Sequence, residues 1–469
     1  MYVSRSFLKL FRKPAANHTD IGSGVNLDNP TKIVSITVPD NERKRGMIVV
    51  GTTGVGKTRL AEHMIDQDLA KGYSICYLDP KGDQDILSKI YDSARKYGRL
   101  EELQVITPVY PELSALVDPM AYYFSVNELA DHIAAAIPPS KEPFFKDVAV
   151  MLATAAITAI TIIARHQGRL PNLNFDNIRL SIQRKSLEES RDALHGIGGE
   201  EALRIASIID NLLGNSLEHY AKVSMSLSVA LMHLSIGNIG RIIGQADTNR
   251  FIQRIEEGKR VIIVIHTGSL LFADAANALG RVLLSMVQKC IGRTYGSQKE
   301  KFKIPMSIFI DEAQKVLYPG IEAIPAMAGS ANVMTTFFVQ DIAQLSAVLG
   351  EDFAKIILNN CNTKLFLRCP DADTSEYVTR HFGTKSVLTG IYSANQVTTR
   401  EVEQDAIKSY DVQSMQLREF LLQTYSGRWK GLTTKVPGAR VKIIFPEAPR
   451  MGTSQHYGEE DEVAAGDIL

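Results

Sequence analysis

The residues best suited to chemistry lie in one short stretch, Gly51–Thr58, which reads GTTGVGKT. Glycines, Lys and Thr at this spacing suit an anion cradle. Gly51 and Gly54 can adopt positive φ, so that successive backbone N–H groups converge on a phosphate. Gly56 lets the backbone approach closely, and the positive end of the following helix points to the same place. Lys57 then reaches the β- and γ-phosphates of a nucleotide, and the Thr58 hydroxyl is a ligand for Mg²⁺. Thr52, Thr53, Val55 and Arg59 complete the expected nucleotide-binding positions. The pattern points to ATP with Mg²⁺.

Binding alone does not hydrolyse, so a second group of residues is needed. The apolar run Met306–Ile310 leads straight into Asp311 and Glu312. A buried strand there delivers Asp311 to the sheet edge opposite Thr58, where it holds the Mg²⁺ shell. Glu312 beside it can polarise the attacking water as general base. Gln340 ends the next apolar run and can sense a γ-phosphate by hydrogen bonding. Arg368 ends another and, offered across a subunit boundary, can stabilise transition-state charge; Arg380 and Arg400 are its rivals. Asp79 and Lys81, in the turn Asp79-Pro80-Lys81-Gly82-Asp83, either face nucleotide or a neighbouring subunit or form an ordinary strand-to-helix turn.

These positions require a particular scaffold. Met47–Val50, Tyr73–Leu78, Gln104–Ile106, Arg260–His266, Met306–Ile310, Thr335–Val339, Lys364–Leu367 and Arg440–Phe445 read as strands. Most are continuously apolar, which means a parallel sheet covered on both faces. Thr58–Lys71 reads as a helix stopped by Gly72. Between about 121 and 247 the pattern is helical: Ser125–Ile137, Phe144–His166, Leu187–Leu194, Glu200–Leu213 and Leu217–Leu234. The fold class is therefore α/β, a mainly parallel twisted sheet flanked by helices, with an inserted all-α domain. The expected units are a lead-in at 1–45, a nucleotide-binding core at 46–120 and 248–445, the insertion at 121–247, and an acidic flexible tail at 446–469.

A chain of 469 residues accommodates two or three such units. Lys and Arg total 52 and Asp and Glu total 52, so the formal net charge is zero. That excludes binding of nucleic acid through a bulk positive field; contacts must come from local patches or a lined channel. The 4 cysteines form no CxxC and read as reduced core thiols. Val148–Ala164 carries no charge, yet its Ala- and Thr-rich composition fits a helix buried in a helical domain. No signal peptide is visible. Ser6–Lys13 reads as part of a partly ordered lead-in, with docking on an anionic membrane or a partner as the alternative.

The motifs GTTGVGKTRL, YLDPKGD, SIFIDEAQ, FFVQDIAQL and NNCNTKLFLR occur in this order. Together they resemble the coupling-protein ATPases of conjugative type IV secretion systems, the TraD/TraG family, related to FtsK and HerA. The resemblance covers about 46–383 and includes Glu142-Pro143-Phe144-Phe145, which opens the long helix of the insertion. It implies a RecA-like P-loop NTPase core, an all-α domain facing the cytoplasm, and a homo-hexameric ring with a central channel. It implies a DNA-stimulated motor that moves single-stranded DNA, with its relaxase, towards the secretion channel. The implied partners are the relaxosome, the channel ATPases and inner-membrane subunits. Lys57 and Thr58 match the phosphate-loop pair, Asp311 and Glu312 the Walker B pair, Gln340 the sensor, and Arg368 the trans-acting arginine. Such proteins usually begin with transmembrane helices, and none precedes the core in this sequence. The expectation is a cytoplasmic protein, peripheral at the inner face of the membrane, with a separate subunit as one source of the anchor. The competing readings are a double-stranded DNA pump of the FtsK/HerA type, a secretion ATPase for protein substrates, and a nucleotide-gated scaffold.

Overall fold

Strands without a polar face are stable only when both faces are covered, and six short strands among the described residues are buried at every position. The structure, a computed structural model, describes residues 16–445 apart from 139–142, 245, 247–248, 297–300 and 394–395. Ser6–Lys13, the tail at 446–469, Glu142 and the side chains of 143–145 lie outside the described residues.

The strands in chain order are β1 (His18–Asn26), β2 (Val34–Pro39), β3 (Met47–Val50), β4 (Ser74–Asp79), β5 (Leu103–Ile106), β6 (Ile262–His266) and β7 (Met306–Ile310). They continue as β8 (Val333–Val339), β9 (Thr363–Phe366), β10 (Thr384–Ser393), β11 (Gln396–Asp405), β12 (Glu419–Thr424) and β13 (Gly427–Thr433). One large sheet runs in the order β2-β1-β13-β12-β9-β3-β8-β7-β4-β6-β5. From β9 to β5 all neighbours are parallel, and the four strands beyond β9 are antiparallel. β10 and β11 pair only with each other, as a separate ribbon.

Side chains alternate across a strand, and the core divides accordingly. Met47 and Val49 of β3 join Leu60, Met64, Ile86 and Ile90 on one face. Ile48 and Val50 face the other way, into the cluster that continues through the helical region to Leu152, Ile157 and Leu231. Between Val126 and Glu256 the described elements are all helices, among them Val126–Ala136, Pro143–His166, Glu200–Leu213 and Leu217–Ser235. Two helical segments, Lys146–His166 and Ser269–Thr294, are long and apolar enough to cross a membrane by length and composition. In this fold Leu152, Ala153, Ala156 and Ile157 of the first are buried against neighbouring helices.

Two expectations need correction. The segment up to residue 45 is not a mere lead-in, because β1 and β2 extend the main sheet. A buried cluster holds them there: Arg43 donates two hydrogen bonds of 2.7 Å to Asp68 on the helix Lys57–Ala70, and a third of 2.8 Å to Thr19 of β1. Arg440–Phe445 is not a strand. It runs across the helix Gln84–Lys96, with Ile443 N–H donating to Ser88 Oγ at 3.0 Å and Phe445 stacked on Tyr110 at 4.6 Å. The helix Ser269–Gly296 kinks at Ala273, whose φ is 44°.

Candidate functional site

The strand β3 stops at Val50, and the chain turns through Gly51–Gly56 into the helix Lys57–Ala70. Gly54 and Gly56 have φ of 82° and 107°, which side-chain-bearing residues rarely adopt. Gly51, expected to share this conformation, does not. Its glycine is required by packing, since a Cβ there would stand 2.8 Å from Leu367 Cβ and 3.1 Å from Val55 Cγ2. The adjoining strand ends against the loop too: Thr52 N–H donates to the Arg368 carbonyl at 3.0 Å.

Lys57 is buried, and its Nζ donates to the Gly51 carbonyl at 2.5 Å and the Thr52 carbonyl at 3.1 Å. Burial holds its pKa below the ordinary lysine value, against the opposing pull of Glu312 and then Asp311. Thr58 is half-buried, while Thr53 and Arg59 are exposed. Arg59 pairs with Glu62 one turn on, at 2.8 Å.

Adjacent strands bring the second group to the same edge. β7 lies between β4 and β8, so Asp311 emerges beside Asp79 and one strand from Gln340. Asp311 Oδ1 accepts the Glu312 N–H at 2.9 Å, and Oδ2 accepts the Tyr77 hydroxyl at 3.3 Å. Glu312 has φ of 44°, a left-handed conformation that turns its carboxylate towards β8. There Gln340 Nε2 donates to Oε1 at 3.0 Å and to Oε2 at 2.9 Å. Gln314 Nε2 also donates to Oε2, at 2.8 Å. Glu312 and Gln340, 28 residues apart in the sequence, are thus a hydrogen-bonded pair.

The donor set fits a divalent cation. Asp311 is buried, and burial together with neighbouring Asp79 pushes its pKa up to about 6. A carboxylate so placed gains from an adjacent positive charge. Asp311 and the Thr58 hydroxyl are hard oxygen ligands of the kind Mg²⁺ takes.

Asp79 is occupied differently. Its two oxygens accept the N–H groups of Lys81 and Asp83 at 2.8 and 2.7 Å, so it pins the turn; Lys81 is exposed. The Arg368 side chain is exposed, and its Nε donates to the Gln413 carbonyl at 3.0 Å. Arg380 and Arg400 are exposed as well. Sequence reasoning missed Tyr77 and Gln314. The signal for Tyr77 was a phenol between the apolar residues Cys76 and Leu78 of a buried strand. A groove of about 670 Å³ lies elsewhere, lined by Phe124, Glu128, Ile255, Lys289, Arg293 and Phe302, and none of the residues above lines it.

A glycine-rich loop between the central strand and a helix, with acidic residues ending a nearby parallel strand, defines the RecA-like P-loop fold. Comparisons with known proteins narrow the likeness. A family described as "TraM recognition site of TraD and TraG" matches residues 305–422. The type 4 coupling protein DotL of Legionella pneumophila is 21% identical over 438 residues, covering 80% of this chain and 55% of that protein. The chain therefore spans about half the length of that relative. The bacterial conjugative coupling protein TrwBdeltaN70, unbound, superposes with a TM-score of 0.64 at 16% identity, covering 94% of this chain and 93% of that one. The plasmid coupling protein TrwB in complex with ADP and Mg²⁺ gives a TM-score of 0.65 at 15% identity, with 94% of each chain covered. VirB4 of Thermoanaerobacter pseudethanolicus gives 0.51 at 12% identity, covering 89% of this chain and 97% of that one. The resemblance to coupling-protein ATPases read from the motifs is borne out, and the fold is theirs.

Proposed function

We propose that this chain is the ATP-dependent, DNA-translocating coupling protein of a conjugative type IV secretion system. The observation that carries the proposal is the meeting of Lys57, Asp311, Glu312 and Gln340 at the carboxyl edge of the sheet. Its setting is a chain similar to coupling proteins over most of its length.

In this reading the N–H groups of Gly51–Thr58 and the Lys57 ammonium hold the β- and γ-phosphates of ATP. Thr58 and Asp311 would hold Mg²⁺, which would supply positive charge beside the phosphate oxygens. Glu312 takes the proton of the attacking water. Gln340 shares hydrogen bonds with Glu312 and registers loss of the γ-phosphate along β8. Arg368 reaches the site of a neighbouring subunit in a homo-hexameric ring, releasing its contact with the Gln413 carbonyl to do so. Residues 46–120 and 248–445, with the added strands β1 and β2, form the motor core, and 121–247 form the insertion that faces the cytoplasm. The protein works at the inner face of the membrane, with the secretion channel ATPases and inner-membrane subunits as neighbours.

ATP turnover with and without single-stranded DNA, at two salt concentrations, tests the proposal. Stimulation by DNA that weakens steeply as salt rises is expected, because phosphate contacts release counterions. Turnover indifferent to DNA at both salts would refute it. The second reading, a secretion ATPase for protein substrates, is favoured by the zero net charge. It predicts that indifference.

A further inference from the structure

We infer that Tyr77 is a positioning residue for the cation site, fixing the Asp311 carboxylate through a hydrogen bond from its phenol. This rests on the reading of Asp311 as a Mg²⁺ ligand.

Tyr77 is fully buried in the middle of β4, and every other residue of that strand is buried as well. A phenol in such a place is disfavoured unless its hydroxyl has a partner. Asp311 supplies it: the Tyr77 hydroxyl donates to Asp311 Oδ2 at 3.3 Å, its one hydrogen bond among the described residues. Parallel pairing makes the reach possible. Tyr77 stands opposite Phe309, and the Asp311 N–H donates to the Leu78 carbonyl at 2.8 Å, so the phenol leans towards the next side chain on its own face.

Three features make the bond a positioning device. First, the carboxylate oxygen it faces is an acceptor, so the Tyr77 hydroxyl must donate to it. Second, its ring is held by an edge-on contact with His266, which ends the adjacent strand β6, with centroids 6.4 Å apart. Third, the other Asp311 oxygen accepts the Glu312 backbone N–H, so both oxygens are oriented before any cation arrives. Outer partners of this kind set ligand orientation, and losing one commonly costs metal affinity about tenfold.

The change Tyr77→Phe removes one oxygen and keeps the ring and its contact with His266. The probe is Mn²⁺ titrated against the full chain with saturating ADP and followed by electron paramagnetic resonance. We expect Mn²⁺ affinity to fall about tenfold, far more than ADP affinity measured without metal. A purely structural role would lower both together. In an Asp311→Asn background, Tyr77→Phe should cause no further loss. Equal Mn²⁺ affinity in wild type and Tyr77→Phe overturns the inference, as does a full additive loss in the Asp311→Asn background. A wild-type chain that binds ADP without any gain from Mn²⁺ overturns the reading of Asp311 itself, and this inference with it.

Discussion

Replacing Glu312 by Gln separates catalysis from structure at this site. The Glu312 carboxylate accepts three contacts, two from Gln340 Nε2 and one from Gln314 Nε2, all between 2.8 and 3.0 Å. Glutamine offers one carbonyl oxygen to the same donors, so one bond is lost and the rest lose their charge. Charged hydrogen bonds contribute about 1.5–3 kcal/mol and neutral ones about 0.5–1.5 kcal/mol. Glu312 is only half-buried, and water replaces part of what is lost. The expected loss of stability is about 1 kcal/mol, a shift of no more than a few degrees in a chain of this size. Loss of a general base is larger, about 10²–10⁴ in rate, or roughly 3–5 kcal/mol of barrier. Single-turnover hydrolysis of labelled ATP, read beside ATP binding on filters, measures the two effects apart. The variant should bind ATP and retain it uncleaved. A folded variant that binds ATP and hydrolyses it within tenfold of the wild-type rate would show that the base is elsewhere.

Arg368→Ala subunits, inactive alone, should regain turnover when mixed with Lys57→Ala subunits, because some interfaces then pair an intact loop with an intact arginine; mixtures that co-assemble without recovery would argue against action in trans. Asp68→Ala should cost about 3–5 kcal/mol in denaturant unfolding, since it leaves the fully buried Arg43 without its bidentate partner. His132 is buried against Ser285 with Lys289 and Arg293 nearby, and burial, then those two charges, lowers its pKa from 6.5 to about 3. The folded state resists the proton that the unfolded state takes up, so stability present above pH 6.5 falls as pH drops towards 3. By pH 5 this amounts to about 2 kcal/mol, and His132→Gln should show a flatter dependence between pH 6.5 and 5.

How much the sequence revealed follows from where each signal resides. The phosphate loop is local, so Gly54, Gly56 and Lys57 could be read from eight consecutive residues. Strands β3, β4, β6, β7 and β8 were legible because both their faces are buried and their residues are continuously apolar. β1, β12 and β13 were not: HTDIGSGVN, EFLLQT and GRWKGLT mix buried with partly exposed positions, and β1 pairs antiparallel with β13 across about 400 residues of chain. RVKIIF misled for the opposite reason. Its apolar side chains, Ile443 and Phe445, pack on the outside of the helical layer rather than in the sheet. In the site, the identities of Asp311, Glu312 and Gln340 were legible, but their mutual geometry was not. It depends on β7 and β8 being neighbours in register and on the left-handed turn at Glu312.

A motor must do more than hydrolyse ATP, and its movement along a strand can be measured. Single-stranded DNA carrying terminal biotin is blocked with streptavidin, and the purified chain is added with ATP and Mg²⁺. Displacement of streptavidin should proceed with ATP, stop with the Glu312→Gln variant, and be favoured from one end of the strand. Rapid DNA-stimulated hydrolysis without displacement from either end would contradict the account of this chain as a translocating coupling protein.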